Sequence, residues 1–140
     1  MKSIEILNTF KIKGTGCRLG ILDLMISSGI ALSENEIRKN LEGKYNRTTF
    51  YRSFKTLEER SVIHKIVVDN QLVKYELDNS VTRKKEHAHF YCNKCNTVKC
   101  LDTIEIATPT VPKDYKITEQ ELILKGECNI CAINNQQDNS

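Results

Sequence analysis

The sequence of 140 residues has no tryptophan, only two prolines and no long run of apolar residues. A membrane-spanning helix needs about 20 consecutive apolar residues, and a secretory signal needs an apolar segment of about 7–15 residues. The opening stretch MKSIEILNTFKIKGTG supplies neither, so we expect a cytoplasmic protein with no membrane partner. Apolar residues make up 39% of the chain, which favours two small hydrophobic cores over one large core.

Arrangements that carry catalysis are also absent. The sequence has no glycine-rich phosphate loop, no Ser/His/Asp set in a plausible context and no paired acids. We therefore predict a protein that is not an enzyme and has no small-molecule substrate. The net charge of +3 permits a nucleic-acid partner without requiring one.

Cysteine, in contrast, is plentiful, with six residues in the chain. Four of them form two Cys-x-x-Cys pairs, Cys92/Cys95 and Cys128/Cys131. In a protein that is not exported, two such pairs far apart in sequence are typical of a four-thiolate zinc site. The sequence therefore predicts a structural Zn²⁺ held by these four cysteines, whose loss should unfold or monomerise the surrounding domain.

A Cys-x-x-Cys pair can instead belong to a thiol oxidoreductase. Such a pair is expected to open a helix in a β-α-β setting, and we predict that setting for neither pair. A metal-binding interaction module without affinity for DNA is a further alternative.

The N-terminal half has the pattern of helices followed by a β-hairpin. Apolar residues at helical spacing predict a helix over about 18–28, Ser33 opens a capping box for the next helix, and Asn46 caps a longer helix. Residues 62–68 and 72–77 are rich in strand-forming types and flank a turn, so they predict the hairpin. This order is that of a winged helix-turn-helix, in which the helix before the hairpin enters the major groove.

The helix after Asn46 has one polar and basic face that is suited to DNA. Guanidinium and ammonium groups contact phosphates or guanine edges, and hydroxyl groups contact phosphates. The residues of this face are Arg47, Thr48, Tyr51, Arg52 and Lys55. A merely solvated helix face is the alternative interpretation.

These motifs resemble, in order, those of the ferric uptake regulator family of bacterial metal-dependent repressors. Thr15-Gly-Cys-Arg18 resembles the family's entry to its second helix, and Thr48-Thr-Phe-Tyr-Arg52 resembles its recognition helix. Lys74-Tyr-Glu-Leu77 resembles the end of its wing. His87-x-His89-x-x-Cys92-x-x-Cys95 and Gly126-x-Cys128-x-x-Cys131 resemble the signature of its C-terminal domain.

The resemblance implies an α+β fold, with an N-terminal winged helix-turn-helix followed by a small α/β dimerisation domain that holds the four-cysteine zinc. We place the DNA-binding domain at 1–78, a hinge at 79–86, the dimerisation and metal-binding domain at 87–133 and a disordered tail at 134–140. In the second domain the sequence predicts short strands at about 89–92, 97–101 and 115–125. The implied partners are a second copy of the chain and a palindromic double-stranded DNA operator, with Arg18 and Thr49 added to the DNA contacts.

The resemblance also implies a regulatory metal site near the hinge. Its candidate ligands are His64, Glu76, His87, His89 and Cys100. Ala31 and Gln120 stand where other members of the family have histidine ligands, so these five residues remain.

A mixed set of nitrogen, oxygen and sulfur ligands favours a second Zn²⁺ as the regulatory ion, and thus a zinc-responsive repressor of metal uptake genes. Cys100 is the main argument for zinc, since many members of the family have Asp or Glu there. An iron- or manganese-dependent regulator, or a peroxide sensor, is the alternative within the family, with Fe²⁺ or Mn²⁺ as the ion.

Overall fold

The computed structural model describes residues 2–69, 72–78, 87–101, 104–118 and 120–138. The chain divides into two compact units, Met1–Arg83 and Lys84–Ser140. The predicted hinge at 79–86 lies outside the described residues, so the domain boundaries given above remain predictions. In the described parts of the chain, no helix is long and apolar enough to cross a membrane.

The first unit consists of four helices followed by a β-hairpin, which confirms the three predicted helices and the hairpin and adds a short helix at the N-terminus. Its elements are α1 (Ser3–Thr9), α2 (Gly16–Ser28), α3 (Glu34–Asn40), α4 (Arg47–Glu59), β1 (Ile63–Asp69) and β2 (Leu72–Leu77). Side chains cap three of the helices at their first turns. The hydroxyl of Ser33 accepts a hydrogen bond from the Glu36 amide at 3.1 Å, and the amide oxygen of Asn46 accepts one from the Thr49 amide at 2.8 Å.

The hairpin packs against the helices through an apolar core and a short backbone ladder. The inward stripe of α4, formed by Phe50, Phe54 and Leu57, is buried in this core. The ring of Tyr75 meets the ring of Phe54 edge to face at 4.8 Å. Leu32 and Tyr75 exchange two backbone hydrogen bonds, at 3.1 and 2.7 Å. These contacts fix the wing beside the helix-turn-helix.

The second unit contains a three-stranded sheet and a C-terminal helix. Its elements are β3 (His87–Cys92), β4 (Val98–Cys100), β5 (Glu121–Gly126) and α5 (Asn129–Asp138). The strand order is β4-β3-β5, with β3 antiparallel to β4 and parallel to β5. The predicted hairpin around the first cysteine pair is therefore present.

Two predictions for the second unit differ from the structure. The last strand begins at Glu121 rather than at about Tyr115, because Tyr115 closes a turn by donating its amide hydrogen to the Pro112 carbonyl at 3.1 Å. Asp114 in this turn has a φ of 74°, which no strand accommodates. The helix α5 is not predicted by the sequence pattern, and it includes residues 134–138, which were expected to belong to a disordered tail.

The second unit buries few side chains of its own. Among its described residues, the buried ones are Ala88, His89, Tyr91, Cys92 and Val98. Large apolar side chains are exposed instead, with Tyr115 at 71% and Ile130 at 65%. A core of this size needs a crosslink, a metal or a partner chain to be stable.

We predict that Tyr75 ionises at a higher pH in the folded protein than in the unfolded chain. Its burial, together with the charge and hydrogen bond of Glu58, raises the pKa of Tyr75 to about 12. In the unfolded chain a tyrosine ionises near pH 10, so the folded form keeps this proton longer and stability falls as the pH rises from about 10 towards 12.

Phenolate absorbance after a rapid pH jump should show one of the five tyrosines titrating well above pH 10. The Tyr75→Phe variant should lack this late component, whereas Tyr115→Phe, which removes the hydroxyl group of an exposed tyrosine, should keep it. If all tyrosines of the folded protein titrate together near pH 10, the environment assigned to Tyr75 is wrong.

Candidate metal centre and nucleic-acid interface

The two Cys-x-x-Cys pairs converge in the second unit. Cys92 ends β3, Cys95 lies in the following turn, Cys128 follows β5, and Cys131 lies in the first turn of α5. Parallel pairing of β3 with β5 sets Cys92 opposite Gly126 and so brings the second pair close to the first. All four sulfurs lie within 4.8 Å of one another, and those of Cys95 and Cys128 are 3.9 Å apart.

This geometry fits a tetrahedral zinc ion. With Zn–S bonds of about 2.3 Å, the sulfurs of such a site are about 3.8 Å apart. Four thiolates complete the coordination shell and leave no open position for a substrate, so an ion held here has a structural role. The structure thus brings together all four cysteines that the sequence predicts as structural ligands.

The sulfurs sit in an uneven electrostatic environment. Hydrogen bonds from the backbone N–H groups of Cys95 and Cys128 lower the pKa of Cys92 to about 6. Hydrogen bonding to Thr97 lowers the pKa of Cys95 as well. The neighbouring Cys128 sulfur and burial raise the pKa of Cys131 to about 12. Repulsion therefore opposes a full set of thiolates, and a divalent cation at the centre would offset it.

The second Cys-x-x-Cys pair lies at the start of a helix, because α5 begins at Asn129, directly after Cys128. No strand follows α5 among the described residues, so this helix is not in the β-α-β setting expected of a thiol oxidoreductase. The convergence of four sulfurs also favours metal ligation over a two-cysteine redox site.

Two of the candidate regulatory ligands face each other on the hairpin of the first unit. His64 of β1 and Glu76 of β2 are cross-strand partners, and the His64 Nε2 atom lies 2.6 Å from the Glu76 Oε1 atom. Asp78, just beyond β2, places its Oδ1 atom 3.8 Å from the His64 Nδ1 atom. Asp78 is not among the ligands predicted from the sequence, although its position two residues after Glu76 is a usable signal.

Two further candidate ligands of the regulatory metal are cross-strand partners in the sheet of the second unit. His89 of β3 and Cys100 of β4 are opposite each other in the antiparallel ladder. The side chain of His89 is fully buried, and its Nδ1 atom lies 3.7 Å from the Glu121 Oε1 atom. Imidazole and thiol side chains on adjacent strands are suitable zinc ligands. His87 begins β3, but its side chain lies outside the described part of the structure.

Ala31 and Gln120 stand at the two positions where other members of the family have histidine ligands, and the structure shows the environment of each. Ala31 is buried at 4% exposure in the bridge beside β2. Gln120 directs its Nε2 atom towards the Ile106 carbonyl at 3.5 Å. Ala31 has no side-chain atom that can bind a metal, and Gln120 already contacts the backbone.

The predicted DNA face of α4 is open to solvent. Its exposed side chains are Arg47, Thr48, Thr49, Tyr51, Arg52 and Lys55. Arg18 differs from these residues, since it is half-buried and donates from Nη1 to the Lys13 carbonyl at 2.9 Å. Arg18 therefore holds the loop before α2 in shape. One exposed ion pair on α4, between Lys55 and Glu59 at 3.7 Å, is a contact typical of a solvated helix face.

Comparisons with known proteins agree on the family and the fold. The sequence pattern of the Ferric uptake regulator family matches residues 10–125. No curated protein sequence matches the chain significantly.

Several solved structures are similar to this one over most of their length. A zinc-bound manganese uptake regulator superposes with a TM-score of 0.67 at 17% identity, covering 91% of this chain and 99% of that one. A zinc uptake regulator complexed with zinc and DNA gives 0.62 at 20% identity, with 95% and 92% covered. The ferric uptake regulator of Francisella tularensis with iron gives 0.62 at 22% identity, with 88% and 96% covered. At these identities the likeness establishes the fold, and the matched sequence pattern establishes that the chain belongs to the Ferric uptake regulator family.

Proposed function

We propose that this protein is a zinc-responsive transcriptional repressor that controls metal uptake genes. In this proposal the zinc-loaded homodimer binds a palindromic operator, and the dimer without regulatory zinc releases it. The observation that carries the proposal is the pairing of His89 with Cys100 across β3 and β4 in a chain of this family. It supplies a sulfur and a nitrogen ligand apart from the four-cysteine cluster.

The regulatory ion takes its ligands from among His64, Glu76, His87, His89 and Cys100. Thiolate and imidazole together favour zinc, whereas Fe²⁺ and Mn²⁺ favour larger shells of oxygen and nitrogen. The four-cysteine cluster binds the other zinc ion, which has a structural role. Known structures of this fold include one with zinc and DNA and others with iron or manganese, so Fe²⁺ or Mn²⁺ is the alternative regulatory ion.

The polar face of α4 supplies the contacts to the operator. Arg47, Arg52 and Lys55 neutralise phosphates or read guanine edges, and the hydroxyl groups of Thr48 and Tyr51 contact phosphates. All are exposed, so they are accessible to a duplex without any rearrangement of the helix.

A second copy of the chain covers the apolar surface of the C-terminal unit. β4 and β5 are the outer strands of its sheet, and Tyr115, Ile130 and Ile133 are exposed. Outer strands and exposed apolar side chains of this kind are suited to an interface between protein chains. A twofold dimer then presents two copies of α4 to the two halves of a palindrome.

Zinc acts in this scheme by shifting a population. A ligand that binds the DNA-competent shape of the dimer more tightly than the other shape raises the fraction of that shape. The coupling free energy between a metal site and a DNA-binding site is typically about 1–3 kcal/mol. Binding of zinc would then raise the operator affinity about 5- to 150-fold.

Cys100→Ser tests the regulatory site directly. We expect this variant to bind one zinc fewer per chain and to lose the zinc-dependent gain in operator affinity. Zinc content by mass spectrometry and operator binding by anisotropy, each measured against Zn²⁺, Fe²⁺ and Mn²⁺, give the two readouts. The zinc assignment is lost if Fe²⁺ or Mn²⁺ activates the wild-type protein while added zinc does not.

Two other cysteines provide controls for this test. Cys17→Ala removes a buried thiol that lies outside both candidate sites, and it should leave the zinc content unchanged. Cys128→Ser should remove the structural zinc and disrupt the C-terminal unit, which is a different outcome from loss of the response alone.

Arg52→Ala tests the nucleic-acid interface. A base contact of this kind contributes about 1–3 kcal/mol, so operator affinity should fall about 5- to 150-fold. The affinity of the wild-type protein should decrease with rising salt because phosphate contacts release counterions. Lys113→Ala is the matched control, since it removes an equal charge from an exposed site in the second unit. Equal affinities of the two variants would contradict the assignment of α4 to DNA.

A further inference from the structure

The β1–β2 hairpin has two faces with different surroundings. Alternate residues of a strand point to the same face. Ile63 and Tyr75 belong to the face that packs into the helical core. Lys74 and Glu76 belong to the opposite face, where Glu76 is paired with His64. The face with the candidate ligands is therefore the one turned away from the helical core.

Lys74 is a buried lysine on this ligand-bearing face. Only 6% of the residue is exposed, and its ammonium group donates a hydrogen bond to the Glu36 carboxylate in the first turn of α3. Lysine is almost never this buried unless it is paired, because an uncompensated charge inside a protein is costly. The contact thus joins the ligand-bearing face to the helix-turn-helix.

The charge state of Glu36 supports a true ion pair. Partial burial on its own would raise the pKa of the Glu36 carboxyl. The hydrogen bond and charge of Lys74, with the hydrogen bonds of Ser33, outweigh that effect and lower the pKa. The Glu36 carboxylate is therefore charged at neutral pH.

This ion pair is not the sole attachment of the hairpin to the helices in the described part of the first unit. The backbone hydrogen bonds between Leu32 and Tyr75, and the packing of Tyr75 on Phe54, already do so through the other face. Among the described contacts of the first unit, Lys74 adds a polar link from the strand that carries Glu76 to α3, the helix that precedes α4.

We propose that Lys74 is a positioning residue that couples metal binding at the hairpin to operator binding, by holding α3 through Glu36. When a metal engages His64 or Glu76, β2 shifts or stiffens. Because Lys74 lies two residues from Glu76, the effect reaches the helix-turn-helix through this ion pair. The inference rests on the proposed function.

The test compares operator affinity with saturating zinc and with zinc removed by a chelator that spares the four-cysteine site. In Lys74→Met, the ratio of these two affinities should fall by at least about fivefold, while the number of zinc ions bound stays at the wild-type value. Glu36→Gln should reduce the ratio in the same way. Because the Glu36 side chain is 41% exposed, its substitution disturbs the fold less than that of Lys74. Lys74→Arg keeps the charge and should retain the wild-type ratio.

The possible outcomes distinguish a failure of the coupling through Lys74 from a failure of the proposed function. Equal weakening of operator binding with and without zinc would mean that Lys74 only stabilises the fold, and it would overturn the coupling. An unchanged ratio in Glu36→Gln would overturn it as well. A wild-type protein whose operator affinity does not respond to zinc would instead overturn the proposed function.

Discussion

The meeting of four cysteine sulfurs within 4.8 Å is the contact on which the C-terminal unit depends. The unit buries too few side chains to be held by hydrophobic packing alone. The cysteines join the end of β3, the turn before β4 and the start of α5, so one ion bound there ties together both ends of the unit. The cluster also fixes the β3–β4 hairpin, on which His89 and Cys100 are opposite each other. In the proposed function, a zinc ion held permanently by the four cysteines thus fixes the strands that carry the ligands of the regulatory ion.

The hairpin of the first unit has a comparable double role. Its inner face completes the core through Tyr75, and its outer face carries His64, Glu76 and Lys74. Three adjacent residues of β2 therefore have separate tasks, which the alternation of a strand makes possible. In the proposed function, the outer side of this short strand carries a metal ligand, while its inner side packs through Tyr75 against α4, the helix that contacts DNA.

Local signals in the sequence predicted the first unit well. The caps at Ser33 and Asn46, and the alternation of strand-forming residues after α4, act over a few residues and are confirmed by the structure. The four-cysteine zinc site could also be predicted from the sequence, because two Cys-x-x-Cys pairs at this spacing are typical of zinc ligation.

Features that depend on long-range pairing were not predicted. Parallel pairing of β3 with β5 sets which residues meet, and no local pattern encodes that register. The late start of β5 follows from the turn at Pro112 and Asp114, which shortens an otherwise strand-like segment. The polar helix α5 begins beside the metal cluster, and its composition gave little reason to expect a helix. The ligand set of the regulatory site also remains a prediction. The spacing of residues in the sequence does not determine which of these side chains lie close together in the folded chain.

The most direct measurement is a chelator titration of the wild-type protein, with zinc content and operator binding followed in the same samples. We expect two zinc ions per chain. The weaker one should leave first, operator binding should be lost in step with it, and added zinc should restore both. Operator binding that persists after only the four-cysteine zinc remains would contradict the account, as would a protein that never binds more than one zinc ion per chain.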